Sequence, residues 1–298
     1  MRAYLTLLLT LAAIWGASFM FIEIALEDLE PTTLMTGRLV VAAVALVALM
    51  AVRGTLSRLR GLGWRPYAIG VINSAVPFTL IAWGQQHIDS GVAAIANATV
   101  PIWVALLAIW LMHSERATGG RLAGIVLGLV GVAILTGAQP GGGAWAVVGT
   151  LAVVAAAVCY AIASLLLQRQ MATTDPLTTS AATMIGATAV LLPFGVAQAP
   201  GELPGWEATA AVVALGLAGT GIGILIFLRL IDDYGSLRAG LVTYLLPVTA
   251  LFYGAVLLDE SINAWMLLGL ALILGGVTLG SGLVRAARPR QAPEPAAP

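Results

Sequence analysis

The sequence predicts an all-α integral membrane protein whose ten transmembrane helices form two inverted five-helix repeats. Three observations support this prediction: an apolar composition, a regular series of apolar segments, and arginines confined to alternate connections. Of the 298 residues, 60% are hydrophobic and 9% are charged. A soluble domain carries roughly 25% charged and about 45–50% apolar residues, so a globule of this size cannot hide the excess apolar side chains. A lipid bilayer supplies the missing apolar environment.

Ten segments reach the length of about 20 mostly apolar residues that a membrane-spanning helix needs. Glycine or proline marks most of the breaks between them. The first segment follows Arg2 as a signal peptide would, but it is too long for such a peptide, so we expect it to be retained. The predicted helices 1 to 10 cover residues 4–24, 33–52, 67–86, 91–112, 120–138, 145–168, 178–198, 208–228, 237–258 and 264–284.

Arginine placement predicts the orientation of these helices. All fourteen basic residues are Arg, and with ten helices thirteen of them lie on one side of the membrane, whereas Arg38 falls inside helix 2. The opposite connections carry acids such as Glu27, Glu202 and Glu260. Positively charged connections stay in the cytoplasm, which predicts a multi-pass protein of the cell membrane with both termini cytoplasmic.

The two halves of the chain repeat each other. An offset of 146 residues relates Ser90 to Ser236 and Pro101 to Pro247. An offset of 145 relates Trp15 to Tyr160, Pro31 to Pro176, Glu115 to Glu260, Gly124 to Gly269, Gly131 to Gly276 and Gly137 to Gly282. Because each half has an odd number of helices, the second half starts on the opposite side and the repeat is inverted. Such pairs are typical of transporters that bind their substrate near the midplane.

The predicted domain boundaries follow from this repeat. Residues 1–138 form the first five-helix repeat and residues 139–284 form the second. Residues 285–298, rich in Pro, Ala and Arg, are expected to be a disordered cytoplasmic tail.

The repeated residues resemble the EamA-type branch of the drug/metabolite transporter superfamily. The resemblance is carried by Trp15-Gly16, Pro31 and Arg38, and by a repeated Pro, Glu, Gly, Gly-Val order. That order runs through Pro101, Glu115, Gly124 and Gly131-Val132, and again through Pro247, Glu260, Gly269 and Gly276-Val277. The resemblance spans about residues 4–284. It implies export of amino acids, related metabolites or drugs through a central cavity lined by helices 1, 3, 4, 6, 8 and 9.

The second half departs from this pattern at two positions. Thr183 stands where the first half has Arg38, and Tyr160 stands where it has Trp15. A function that needs the arginine twice is therefore not expected.

Two charged residues, Glu23 and Arg38, fall inside predicted helices 1 and 2. A charge within the bilayer costs roughly 2.5–3.5 kcal/mol on insertion scales, so each needs a reason. The short hairpin between these helices places both near the outer surface. Their candidate roles are a gate, a proton-linked carboxylate, or a counter-charge for a zwitterionic substrate. The alternatives are a structural ion pair or snorkelling to the interface.

Polar and aromatic residues at mid-depth are the candidate cavity residues. Asn97 and Thr243 are equivalent in the two halves, and each lies four residues before a proline, whose ring frees the carbonyl four residues upstream. We expect solute contacts there, unless the side chains simply bond to their own helices. Trp15 and Tyr160 either stack on a planar or cationic substrate or pack in the core. The full set is Trp15, Asn73, Trp83, Asn97, Pro101, Tyr160, Ser164, Thr243, Tyr244 and Pro247, with Thr220 a further polar residue at this depth.

Motif searches give little support to an enzyme. The chain contains no H-E-x-x-H and no G-x-S-x-G; it also has no lysine for a Walker motif, and only one cysteine, Cys159. We therefore expect no cofactor, no metal and no nucleic-acid partner. The expected partners are a small-molecule substrate and the bilayer, and the proton is one candidate for a coupling ion, with exchange and facilitated transport as the alternatives. The G-x-x-x-G pairs favour helix contacts within a monomer over dimerisation, although a weak dimer stays open.

The sequence therefore favours a membrane exporter of small organic solutes, such as amino acids or related metabolites, working by alternating access. One alternative is an efflux carrier for multiple drugs or cationic compounds. A membrane-embedded enzyme or a channel is the alternative from another class.

Overall fold

A computed structural model describes residues 2–111, 120–137, 143–171 and 174–280. These residues are helical apart from short connections. The helices are α1 (Arg2–Leu26), α2 (Pro31–Val52), α3 (Arg65–Gln85), α4 (Ser90–Asn97 and Val100–Leu111), α5 (Gly120–Gly137), α6 (Gly143–Met171), α7 (Pro176–Ala197), α8 (Trp206–Tyr234), α9 (Ser236–Ala239 and Val242–Leu257) and α10 (Ala264–Gly280).

Each helix coincides with a predicted segment to within a few residues. Among the described residues, seven helices are long and apolar enough to cross a membrane, and α5, α9 and α10 are shorter apolar helices. The chain is thus an all-helical, multi-pass membrane protein. The structure adds a short helix, Ser57–Arg60, that the sequence does not predict. Glu115, Gly282 and the tail 285–298 lie outside the described residues.

Proline starts two equivalent helices. Pro31 and Pro176 are the first residues of α2 and α7. The N–H of the first helical residue has no acceptor within the helix, so proline, which lacks this group, loses no hydrogen bond there. The fixed φ angle of proline also suits a helix. Asp175 also caps α7, because its carboxylate accepts a hydrogen bond from the backbone N–H of Thr178 at 3.0 Å.

The helix contacts of one half have counterparts in the other. Helix α2 packs against α7, and α5 packs against α10. Helix α1 contacts α8 and α9, while α6 contacts α3 and α4. Likewise, α2 packs against α8 and α7 packs against α3. Exchanging each helix for the one five places along the chain reproduces each of the contacts named here.

Glycine lets α5 and α10 approach closely. A Cβ placed on Gly276 would lie 2.5 Å from the carbonyl oxygen of Gly124 and 2.6 Å from the backbone nitrogen of Gly128. These small residues thus join two helices of one chain, as their spacing predicts.

Connections that the sequence assigns to the same side contact each other. On the acidic side, the Asp28 carboxylate accepts a hydrogen bond from the Gly205 N–H at 2.7 Å. On the arginine side, Arg58 lies 3.6 Å from the carboxylate of Asp175. The first contact joins the α1–α2 and α7–α8 connections, and the second joins α2–α3 to α6–α7.

Candidate functional site

Arg38 on α2 is the centre of a buried cluster contributed by four helices. Its Nε donates a hydrogen bond of 3.0 Å to the hydroxyl of Thr220 on α8. Its guanidinium carbon lies 3.8 Å from the ring centroid of Phe78 on α3, a cation–π contact. Tyr160 on α6 packs against Phe78 with 6.4 Å between the ring centroids. Arg38 is only 7% exposed, which disfavours the alternative that it snorkels to the interface.

Glu23 on α1 has a different partner. Its carboxylate accepts a hydrogen bond of 3.2 Å from Nε2 of Gln85, a buried residue of α3. The same nitrogen donates to the backbone carbonyl of Phe19 at 2.9 Å. The structural ion pair between Glu23 and Arg38, one of the alternatives that the sequence leaves open, is not formed. Tertiary packing explains this: Gln85 of α3 binds Glu23, and Thr220 of α8 binds Arg38.

Helices α3 and α8 each contain a π-helical segment, Val71–Ala75 and Leu215–Ile222. The repeat offset of 145 places the first segment inside the second. Such segments are rare and occur frequently at functional sites. Thr220 lies in the second segment, and its hydroxyl donates to the carbonyl of Leu215 at 3.1 Å. The predicted cavity residue Asn73 lies in the first segment, where its amide donates to the Ser74 hydroxyl at 3.2 Å.

The matched aromatics Trp15 and Tyr160 pack at equivalent places. The indole N–H of Trp15 donates to the carbonyl of Gly219 at 2.9 Å, and a Cβ on Gly223 would lie 2.5 Å from that nitrogen. The repeat relates Gly223 to Phe78, against which Tyr160 packs. The indole N–H of Trp15 is thus satisfied within the protein, while stacking of Trp15 or Tyr160 on a substrate stays a prediction.

Two predicted cavity residues carry buried polar atoms without a protein partner. Within the described residues, Oδ1 of Asn97 accepts no hydrogen bond, and the hydroxyl of Tyr244 neither donates nor accepts one. Leaving such a group unsatisfied costs about 1–3 kcal/mol, which a water or a solute recovers when it binds. Asn97 and Tyr244 are therefore the candidates of α4 and α9 with hydrogen-bonding capacity to spare.

Two other candidates bond to their own helices. The hydroxyl of Thr243 donates to the carbonyl of Gly240 at 2.8 Å, and that of Ser164 donates to Ala161 at 2.8 Å. For these residues the structure favours the self-bonded alternative.

The two matched prolines do not sit at equivalent breaks. Pro101 is the second residue of the helix Val100–Leu111, directly after a break at residues 98–99. Pro247 lies inside the helix Val242–Leu257, and the break in α9 comes earlier, at residues 240–241. Proline near a helix start removes no hydrogen bond, so the break before residue 100 accommodates Pro101, whereas Pro247 interrupts the hydrogen bonding of its own helix.

Trp83 belongs to a separate aromatic cluster at the end of α3. Its ring centroid lies 4.8 Å from that of His87 and 6.5 Å from that of Trp145. Trp145 is 63% exposed, and tryptophan is enriched at membrane interfaces. A role for Trp83 in the cavity stays a prediction.

A small cavity of about 200 Å³ lies between α1, α8 and α9. Its polar lining includes Ser18, which is buried, and Tyr253. It also reaches Gly219 in the π-helical segment that contacts Trp15 and lies next to Thr220. The cavity thus adjoins the Arg38 cluster.

A family model described as "EamA-like transporter family" matches residues 2–137 and matches again over residues 147–281. The chain belongs to the EamA-like transporter family. The double match covers both halves of the helical bundle, and the cluster around Arg38 is built from both.

Relatives of this EamA-like transporter are named as exporters. The chain is 29% identical over 285 residues to a "Probable terminal-alkyne amino-acid exporter" of Streptantibioticus cattleyicolor, covering 93% of each chain. It is 25% identical over 282 residues to a "Probable amino-acid metabolite efflux pump" of Escherichia coli, covering 91% of this chain and 92% of the relative. A crystal structure with 22% identity shares the fold at a TM-score of 0.69, covering 96% and 98% of the two chains. The chain is therefore a transporter of small molecules and not an enzyme.

Sequence reasoning missed three residues of this EamA-like transporter's site: Ser18, Phe78 and Gln85. The repeat offset offers a signal for Phe78, because it relates Phe78 to Gly223 beside Trp15. Ser18 lies one turn after Trp15 and faces the same π-helical segment. Gln85 carried no sequence signal, since an amide at the end of a predicted helix is ordinary.

Proposed function

We propose that this EamA-like transporter exports amino acids or related metabolites across the cell membrane by alternating access. The observation that carries the proposal is the buried bond from Arg38 to Thr220, which joins the first half of the chain to the second. A polar contact at the junction of two repeats marks the usual substrate region of such carriers. The names of the two relatives support amino-acid export.

The proposed architecture is ten transmembrane helices in two inverted repeats, residues 1–138 and 139–284. Three observations support it: the double family match, the paired helix contacts, and the two π-helical segments in register. Alternating access then arises when one repeat rocks against the other around the buried cluster.

The proposed orientation puts both termini in the cytoplasm. The arginine distribution supports it, and so do the contacts from Arg58 to Asp175 and from Asp28 to Gly205, each of which joins connections assigned to one side. We also propose a monomer, because the close glycine contacts of α5 and α10 are made within the chain.

Transport by the purified chain in liposomes tests the proposal. Liposomes loaded with one amino acid and diluted into a trace of the labelled compound should show saturable counterflow. The screen covers amino acids and cationic drugs, with and without a pH gradient. Ohmic single-channel currents instead of counterflow would indicate a pore, and a correctly folded chain that moves no solute would reject the proposal.

A second candidate is the efflux of cationic compounds. It is favoured by Glu23, a half-buried carboxylate that has no ion-pair partner in the described part of the chain and lies close enough to Asp89 and Glu260 to be affected by their charge. The same screen separates the candidates. A cation carrier should transport the cationic drugs as the wild type and should no longer transport them as the Glu23→Gln variant.

A further inference from the structure

The guanidinium of Arg38 is a buried charge without a protein counter-ion. Its hydrogen-bond partner is the hydroxyl of Thr220, and the face of its guanidinium lies on the ring of Phe78. Both groups are uncharged. No carboxylate of the described residues lies within ion-pair distance of Arg38, and the intramembrane acid Glu23 is held by Gln85 instead.

A buried charge of this kind is costly unless an anion compensates it. Inside proteins and membranes, charged side chains are paired or mark a pathway for charged substrates. The cation–π contact with Phe78 recovers only about 1–2 kcal/mol. The protein thus leaves room for an anion that arrives from outside the chain.

The terminal nitrogens of Arg38 point to where that anion binds. In the described part of the chain they donate no hydrogen bond to a protein acceptor, yet neither is sealed from solvent. A Cβ on Gly219 would lie 4.0 Å from Nη2 of Arg38 and 2.9 Å from the hydroxyl of Ser18. Gly219 and Ser18 both line the 200 Å³ cavity, so Nη2 of Arg38 lies close to the wall of the cavity that Gly219 forms.

We propose that Arg38 binds the carboxylate of the transported solute. A guanidinium offers two parallel N–H donors that match a carboxylate, and Thr220 and Phe78 fix its plane by holding Nε and one face. The Ser18 hydroxyl donates its proton to the carbonyl of Ile14 at 3.2 Å, so its oxygen can only accept a hydrogen bond from the solute. This inference rests on the proposed function and narrows its substrate class to small carboxylates, amino acids among them.

The cavity limits the size and character of the solute. Its volume of about 200 Å³ equals roughly six or seven water molecules at about 30 Å³ each. Ala13, Ala17 and Phe21 form apolar walls that suit a short aliphatic side chain. At this repeat position only the first half has an arginine, since the second half has Thr183 there, so we expect one carboxylate to bind per chain.

Binding and counterflow should both be measured, with L-leucine and L-threonine compared with their methyl esters. In the wild type, the free acids should raise Tm and compete in counterflow at concentrations at least tenfold lower than the esters. Arg38→Gln should lose this preference for the acid, while Thr220→Val should weaken acid binding severalfold and keep the preference. Arg53→Gln, which removes an exposed arginine at the end of the same helix, is the matched control and should behave like the wild type.

A structural role for Arg38 predicts a different result. Since an uncompensated charge destabilises the empty protein, unliganded Arg38→Gln should have a Tm equal to or above that of the wild type. A Tm several degrees lower would assign Arg38 to structure and overturn the inference. Equal responses to acids and esters in the wild type, or a retained acid preference in folded Arg38→Gln, would also overturn it. Acid-selective Tm shifts without counterflow would uphold carboxylate binding and reject the transport function.

Discussion

The carboxylate of Glu260 accepts a hydrogen bond of 2.8 Å from the backbone N–H of Ser90. Its second oxygen accepts from the N–H of Gly91 at 3.1 Å. Ser90 is the first residue of α4, and the side chain of Asp89, which precedes it, makes no capping bond. A residue of the second half thus caps a helix of the first half, and it does so on the acidic side of the bundle.

Removing this cap should destabilise the protein. Glu260→Ala leaves two buried N–H groups and the positive end of α4 without an acceptor, so we expect a loss of about 1–2 kcal/mol. Glu260→Gln keeps one oxygen and should lose less. Thermal unfolding in detergent checks this, with Glu202→Ala, an exposed acid of the α7–α8 connection, as the control. Equal Tm values for Glu260→Ala and the control would contradict the capping role.

Glu23 should determine how transport depends on pH if the proton is the coupling ion. Its carboxylate accepts a hydrogen bond from Gln85 inside the bundle, where gaining or losing a proton changes a partly buried charge. Glu23→Gln keeps the shape of the side chain but cannot titrate, so it should remove the dependence of the transport rate on pH. Rates measured in liposomes at a series of pH values check this. Glu27→Gln, one turn later and exposed, is the control, and an unchanged pH profile in Glu23→Gln would exclude a proton role for Glu23.

Asp89 should make the protein less stable as the pH rises. Burial, and then the charge of Glu260, raise the pKa of Asp89 above its ordinary value of 3.8. The folded state therefore binds this proton more tightly than the unfolded chain, so its stability is greatest below that value and falls as the pH rises through the folded pKa. Asp89→Asn should match the wild type in Tm near pH 3.8 or below and exceed it increasingly at higher pH. The control is Glu30→Gln, whose side chain makes no capping bond; a constant Tm difference across the range would contradict the prediction.

The contact between α5 and α10 should tolerate no side chain at Gly276. A methyl group there would collide with the backbone of Gly124 and Gly128, and backbone cannot move aside as a side chain can. We expect Gly276→Ala to cost about 1–3 kcal/mol, the usual range for overpacking. Gly137→Ala is the matched control, because a Cβ there meets nothing within 4 Å. The Tm and the yield of folded protein check this, and equal values for the two variants would refute the close contact.

Most of the helices were predictable because lipid imposes a simple rule on them. Each must be about 20 residues long and apolar, and glycine, proline and arginine mark the connections. The repeat was also readable, since prolines and glycines keep a fixed offset. The short helix Ser57–Arg60 was missed because four residues carry no periodic pattern.

The site was less predictable because its contacts join residues far apart in the sequence. The short hairpin between α1 and α2 suggested that Glu23 pairs with Arg38, but Gln85 and Thr220 from other helices bind these residues. The π-helical segments arise where α3 and α8 pack against α7 and α2, and apolar, glycine-containing runs such as Leu215–Ile222 look like ordinary helix in the sequence. The unequal breaks near Pro101 and Pro247 likewise reflect packing that repeat symmetry does not specify.

The opposed orientation of the two halves is the central claim, and the location of two reporter tags tests it most directly. One tag is inserted in the turn at residues 141–143, between the halves, and the other follows the carboxyl terminus. The tags are enzymes that are active either only in the cytoplasm or only on the opposite side of the membrane. Their activity therefore shows on which side each tag lies. Five helices in each half predict the turn outside and the carboxyl terminus inside. Both tags on the same face would contradict the inverted repeat and the alternating-access mechanism built on it.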